Sequence, residues 1–138
     1  MLKKIIFLSA ALMLSSSICL NAQVRVVKSA KDRNPTLMYR DISGSPELSK
    51  IVASDLRYCG WFDLVDSGAE YVVTGAASGS QLQLTVGSGN GAQLFAVSAP
   101  VSGNLRTTAH KAVDAILQKM FNVSGICSSR IAFAGQTQ

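Results

Sequence analysis

A stretch of 35 residues, numbered 71–105, contains no charged side chain, and this feature limits the possible folds of the chain most strongly. Ser, Gly, Gln and Asn are too frequent in this stretch for a segment that crosses a lipid bilayer. Gln81–Val86 alternates polar and apolar side chains, which is typical of a strand with one buried face. Gly87–Gly91 then predicts a hairpin loop and Ala92–Val97 the returning strand. A hairpin without charged residues is either covered by other structure or prone to edge pairing.

Amphipathic helices are predicted on both sides of this stretch. Ser45 can cap the free amides of the first helix, Pro46 suits its first position, and Gly60 can take the left-handed conformation that ends it. Its apolar side chains recur at steps of three and four residues: Leu48, Ile51, Val52, Leu56 and Cys59. Asn104 can cap a second helix over Leu105–Phe121, whose apolar face contains Leu105, Ala109, Val113, Ile116, Leu117 and Met120.

Shorter apolar segments predict further strands at Leu37–Arg40, Trp61–Val65, Tyr71–Thr74 and Arg130–Phe133. A chain of 138 residues corresponds to about one domain. The order strand, helix, strands, helix, strand predicts an α/β fold, with a mixed β-sheet of about five strands and two α-helices packed on one face. We expect an extended segment over residues 23–36 and a single domain over residues 37–138.

Residues 1–22 have the features of a secretory signal peptide. Lys3 and Lys4 form a basic start, Ile5–Leu14 is an apolar run of ten residues, and Ala22 is a small residue suited to precede a cleavage site. A membrane-spanning helix needs about 20 apolar residues, so no stable membrane span is expected. We therefore predict cleavage near Ala22 and a periplasmic or secreted protein.

Removal of the signal peptide leaves eleven Lys and Arg residues against eight Asp and Glu residues. This surplus is too small to indicate nucleic-acid binding, which usually needs a concentrated basic face. The basic residues lie mainly near the new amino terminus, at Arg25, Lys28, Lys31, Arg33 and Arg40. They form either a solvated basic arm or a segment that steers the chain towards an acidic partner surface.

Cys59 and Cys127 are the two cysteines that follow the signal peptide. An even pair in an oxidising compartment makes them disulfide candidates, and two buried thiols are the alternative. They cannot complete a zinc site with the single histidine, His110, so no metal site is predicted.

The sequence gives little indication of catalysis. His110 and Asp114 are four residues apart on the second helix, so they lie on the same side and can touch. However, no serine stands in a nucleophile-elbow pattern, and the Gly87–Gly91 loop lacks the lysine of a phosphate-binding loop. We predict no enzyme activity, no catalytic residue and no cofactor.

Several segments resemble the amino-terminal domain of the TolB family. Leu105–Ile116 has the LRxxAHxxxD pattern of that domain's second helix. Gly125 with Ser129–Phe133 is similar to the G-x-F-x-[TS]-R-I-A-[YF] strand that follows it. Ile51–Leu56 with the residues after it, Tyr71–Gly75 and Gln23–Lys28 are similar to other parts of the domain in the same order. The resemblance covers nearly all of residues 23–134.

The resemblance implies a periplasmic component of the Tol–Pal envelope system with an α/β sandwich domain. In the family, the mature amino terminus binds the carboxy-terminal domain of TolA, and a following propeller binds Pal. Carried over, the partner-binding residues are Gln23, Val24, Arg25, Val26, Val27 and Lys28. Their alternation suits a strand that adds to the edge of another sheet, although the segment can also pair with its own sheet.

The chain departs from the family pattern in two respects. It ends at Gln138, where the family's propeller begins, so we do not expect Pal binding. Cys59 and Cys127 stand where the family usually has a small residue and an aromatic residue, so a disulfide would be a local feature. The leading hypothesis is a non-enzymatic envelope scaffold. The alternatives are a small secreted hydrolase that uses His110 and Asp114, and a carrier of small molecules between sheet and helices.

Overall fold

A computed structural model describes residues 33–129. In chain order these residues form β1 (Thr36–Tyr39), α1 (Pro46–Tyr58), β2 (Asp63–Leu64), β3 (Tyr71–Ser78), β4 (Gln81–Ser88), β5 (Gln93–Pro100) and α2 (Leu105–Phe121). The predicted signal peptide, the partner-binding segment Gln23–Lys28 and the predicted strand Arg130–Phe133 lie outside the described residues. Between residues 33 and 129, no helix has both the length and the apolar character needed to cross a membrane.

The strands form one mixed sheet in the order β2-β1-β3-β4-β5. β1 lies parallel to both β2 and β3, whereas β3, β4 and β5 are successively antiparallel. Val73 pairs with Val86 and Gly75 with Leu84, so the apolar side chains of β3 and β4 share a face. The predicted fold class, a mixed sheet of five strands with two helices, is confirmed.

Both helix ends follow from local sequence signals. The Ser45 hydroxyl accepts a hydrogen bond from the Leu48 amide at the start of α1, and Gly60 has a φ of +74° after its end. The Asn104 side chain accepts bonds from the first amides of α2. Asn122 ends α2 in the left-handed region, with a φ of 56°. The predicted helix bounds are therefore confirmed, because capping depends on neighbouring residues alone.

One hydrophobic cluster joins the sheet to both helices. Its largest fully buried side chains are Leu37, Val73, Leu82, Leu84 and Val86 from the sheet, Leu48, Val52 and Leu56 from α1, and Val113, Ile116, Leu117 and Met120 from α2. A side chain at Gly75 would meet Leu84 Cδ2 at 2.6 Å, so this close packing requires glycine there. The core fills the space between sheet and helices, and the other face of the sheet is not covered by a described helix.

The strand predicted at Trp61–Val65 is shorter in the structure, where only Asp63–Leu64 pairs. The aromatic rings before it pack instead on Phe121 at the end of α2. The ring centroids of Trp61 and Phe62 lie 4.8 Å and 5.3 Å from that of Phe121. Burial of these rings therefore takes the place of strand pairing.

Candidate interaction site

A polar contact joins the two helices. His110 Nδ1 on α2 lies 2.6 Å from Asp55 Oδ2 on α1, and their side chains are 21% and 13% exposed. Burial raises the pKa of the Asp55 carboxyl, although the hydrogen bond from His110 acts in the opposite direction. The histidine is thus held by a residue 55 positions away and not by its neighbour on the same helix.

Asp114 holds the turn that follows α2. Its carboxylate accepts hydrogen bonds from the amides of Cys127 at 2.9 Å and Ser128 at 3.0 Å, and from the Ser128 hydroxyl. His110 and Asp114, whose spacing on the helix allows them to touch, are therefore each hydrogen-bonded to other residues. Asp114 fastens the turn after α2, and His110 fastens α2 to α1.

Among residues 33–129, no hydrogen bond joins the His110 side chain to a serine or cysteine. A serine or cysteine nucleophile needs a hydrogen-bonded base that is itself held by a third group. The Ser128 hydroxyl donates to Asp114, and His110 is bound to Asp55. Burial, reinforced by the charges of both aspartates, raises the pKa of the Cys127 thiol to about 12, so this thiol is protonated at neutral pH.

The two cysteines carry free thiols in the structure, so the predicted disulfide is not confirmed. Cys59 is buried at the end of α1, where its thiol donates a hydrogen bond to the carbonyl of Leu56 at 3.3 Å. Burial also raises the pKa of the Cys59 thiol. Cys127 is half-buried and packs against the hydrophobic cluster that contains Cys59. Among residues 33–129, no group of His, Cys, Asp and Glu side chains is placed to hold a metal ion.

Side-chain hydrogen bonds hold the start of β1 to its neighbours. The Thr36 amide donates to the Glu70 carboxylate at 3.3 Å, and the Thr36 hydroxyl accepts from the Glu70 amide at 3.0 Å. The Asn34 side chain donates to Asp63 at 3.1 Å. These contacts hold the start of β1 to β2 and to the residue that precedes β3. They also give the Asp63 carboxylate a structural partner.

The outer edge of β5 carries a contact with a charged side chain that the uncharged sequence of the hairpin does not indicate. Lys119 Nζ on α2 donates a hydrogen bond to the carbonyl of Ala96 at 3.0 Å and lies 5.5 Å from the ring centroid of Phe95. The uncharged hairpin is therefore contacted by a charged side chain of α2, which lies more than twenty residues further along the chain. The sequence does not predict this contact, because nothing in the local pattern of α2 indicates that its last turn reaches β5.

The helix-free face of the sheet contains a groove of about 370 Å³. Its lining residues include Met38, Arg40, Val72, Thr74 and Thr85. The sequence could have indicated this groove, because successive side chains of a strand point to opposite faces of the sheet. Residues of β1 and β3 that alternate with the core residues must therefore line the other face. A small-molecule carrier was expected to hold its ligand between the sheet and the helices, and the hydrophobic core fills that space. The groove lies on the opposite face of the sheet.

Comparisons with known proteins give similarity at the level of structure. No family model matches the chain, and no curated protein matches its sequence. A crystal structure of TolB from Acinetobacter baumannii superposes with a TM-score of 0.57 and 20% identity, over 68% of this chain and 30% of that one. The chain shares its fold with part of TolB. It spans less than a third of the length of that protein, and at 20% identity the likeness concerns the fold alone.

A second solved structure, a dodecamer of PelC from Paraburkholderia phytofirmans, has a TM-score of 0.46 and 17% identity. It covers 68% of this chain and 92% of that one. Because the superposition is weak, we base no conclusion on it. The TolB-like fold agrees with the family resemblance carried by the sequence motifs.

Proposed function

We propose that this chain is an exported, non-enzymatic interaction protein of the cell envelope with a TolB-like scaffold role. Its leading segment, Gln23–Lys28, binds an envelope partner by adding a strand to the edge of that partner's sheet. The partner is a protein that resembles the carboxy-terminal domain of TolA. Cleavage near Ala22 frees this segment in the periplasm.

The observation that carries the proposal is the distribution of charge along the chain. Residues 33–129 contain seven Lys and Arg residues and seven Asp and Glu residues, so the described body is neutral. Residues 23–32 contain three basic residues and a single acidic one. The leading segment is therefore the part of the mature chain best suited to attract an acidic partner surface.

The side chains of the leading segment also suit strand addition. Val24 and Val26 would share one face of an extended strand, with Arg25 and Val27 on the other. In strand addition, backbone hydrogen bonds supply affinity and alternate side chains supply specificity. The hydrogen bonds at Thr36 and Asn34 support this role, because they anchor the body close behind the segment.

The contacts between the helices support a non-enzymatic role. His110, Asp55 and Asp114 use their hydrogen bonds to hold α1, α2 and the following turn together. No described contact joins a candidate nucleophile to the histidine. The hydrolase alternative therefore lacks an observation in its favour.

The test compares binding of purified variants to a purified TolA-like carboxy-terminal domain by calorimetry. Deletion of residues 23–28 is expected to abolish binding and to leave the unfolding temperature unchanged within about 2 °C, since a free terminus contributes little to stability. Val26→Pro and Val27→Pro are tested separately. Each removes one amide donor, and neighbouring amides of a strand point to opposite sides.

Strand addition predicts that one of these proline variants weakens binding much more than the other. The matched control is Val27→Thr, which keeps the amide and the branched side chain. Undiminished binding by the deletion variant would exclude the leading segment as the binding site. Equal effects of the two prolines would argue against an added strand.

A further inference from the structure

Two contacts set the relative position of the two helices. The Asp55–His110 pair joins the last turn of α1 to the first half of α2, and Trp61, which follows α1, packs on Phe121 at the end of α2. The helices consequently run in the same direction, as their connections to the parallel strands β1 and β5 require. One helical turn beyond the polar pair, Cys59 on α1 therefore comes to the level of Asp114 on α2.

The turn after α2 carries the second cysteine to this level. Asp114 binds the backbone amides of Cys127 and Ser128. Gly125 packs directly on the same carboxylate, because a side chain there would come within 2.0 Å of Asp114 Oδ1. Cys127 thus lies against the hydrophobic cluster close to Cys59, and the charge of Cys59 contributes to the raised pKa of Cys127.

From this arrangement we propose that Cys59 and Cys127 form a disulfide when the exported chain meets a low-molecular-weight disulfide or a disulfide-exchange protein. The half-buried Cys127 loses its proton and attacks the oxidant, forming a mixed disulfide and releasing one thiol. Cys59 then loses its proton and attacks the Cys127 sulfur, forming the internal bond and releasing the second thiol. Two cysteine thiols are oxidised and one external disulfide is reduced, with both protons passing to the released thiolates.

The bond would fasten the turn after α2 to the end of α1 and close a long loop that contains β2 to β5 and α2. Closing a long loop restricts the unfolded chain more than the folded one. Oxidation is therefore expected to stabilise the fold without changing its architecture. Because burial and the neighbouring carboxylates keep both thiols protonated, the reaction needs an oxidant and a prolonged incubation.

The experiment treats the reduced mature chain with oxidised glutathione and follows it by intact mass and thermal unfolding. The expected product is a monomer lighter by about 2 Da that no longer reacts with a thiol-alkylating reagent. Its unfolding midpoint is expected to rise by about 10 °C or more over the reduced form.

Cys59→Ser is the matched variant, because it keeps the accessible thiol and removes the resolving one. It is expected to stop at the mixed disulfide, heavier by about 305 Da. A wild-type chain that also stops at this adduct, joins a second copy through Cys127, or stays reduced would overturn the proposal.

Discussion

At the scale of single residues, Asp55 shows how burial and pairing compete. Removal from water raises the pKa of its carboxyl, and the hydrogen bond from His110 lowers it by a smaller amount. The folded state therefore binds the Asp55 proton more tightly than the unfolded state does. Stability that depends on this group is fully present below the ordinary aspartate pKa and declines as the pH rises through the raised one.

Asp55→Asn is expected to remove this component of the pH dependence. The unfolding temperature of the wild type, minus that of the variant, should fall as the pH rises from below the ordinary aspartate pKa through the raised one, because only the wild type must ionise a buried carboxyl. Thermal unfolding followed by circular dichroism measures both curves. Asp66→Asn, an exposed aspartate, is the control and should keep the wild-type slope. Parallel curves for the wild type and Asp55→Asn would contradict the assigned role of burial.

At the scale of elements, β5 is an edge strand of the sheet formed by residues 33–129, and the Lys119 side chain contacts its free edge. The Ala96 carbonyl points away from β4 and accepts a hydrogen bond from the Lys119 ammonium. The Val101 amide donates a hydrogen bond to the Ser80 carbonyl. Because alternate residues of an edge strand point outward, Leu94 and Ser98 also direct their backbone groups to the free edge. No charged side chain of β5 itself protects them. An exposed edge of this kind can pair with a second strand.

Lys119→Ala is expected to promote concentration-dependent self-association, because it removes the cation that occupies the edge. Sedimentation velocity over a hundredfold range of concentration measures the effect. Lys111→Ala removes an exposed lysine from the same helix and serves as the control. If both variants remain monomeric over the whole range, Lys119 does not protect the edge.

At the scale of the whole molecule, one hydrophobic cluster links the sheet to both helices. A core of this kind is expected to unfold in a single cooperative step. Trp61, the only tryptophan of the chain, lies beside Phe121 and reports on the end of the helix pair. Its fluorescence and the far-ultraviolet circular dichroism should therefore give the same unfolding curve.

Leu84→Ala is expected to lower the free energy of unfolding by about 2–5 kcal/mol by both measurements, because Leu84 is fully buried and packs on Gly75. Tyr58→Ala changes a side chain that is 78% exposed, and it should alter the free energy of unfolding by no more than about 0.5 kcal/mol. If the two measurements gave different midpoints for the Leu84 variant, the sheet and the helix ends would be separate unfolding units.

The sequence by itself determined the two helices and the central hairpin. Ser45, Asn104 and Gly60 mark helix ends through contacts with residues a few positions away, so the pattern contains the necessary information. The alternation of Gln81–Val86 likewise fixes which side chains of β4 are buried. These features are local, and they were sufficient to predict the fold class.

Only the tertiary structure decided the partners of the polar side chains. His110 bonds to Asp55 and Lys119 to Ala96, across separations of 55 and 23 residues. The two residues of β2 pair while the aromatic rings before them pack on α2. Such contacts depend on which helix lies beside which strand. The elements take up these positions because their apolar faces are buried together in one core. The spacing of residues within a single element therefore cannot predict which elements will be neighbours.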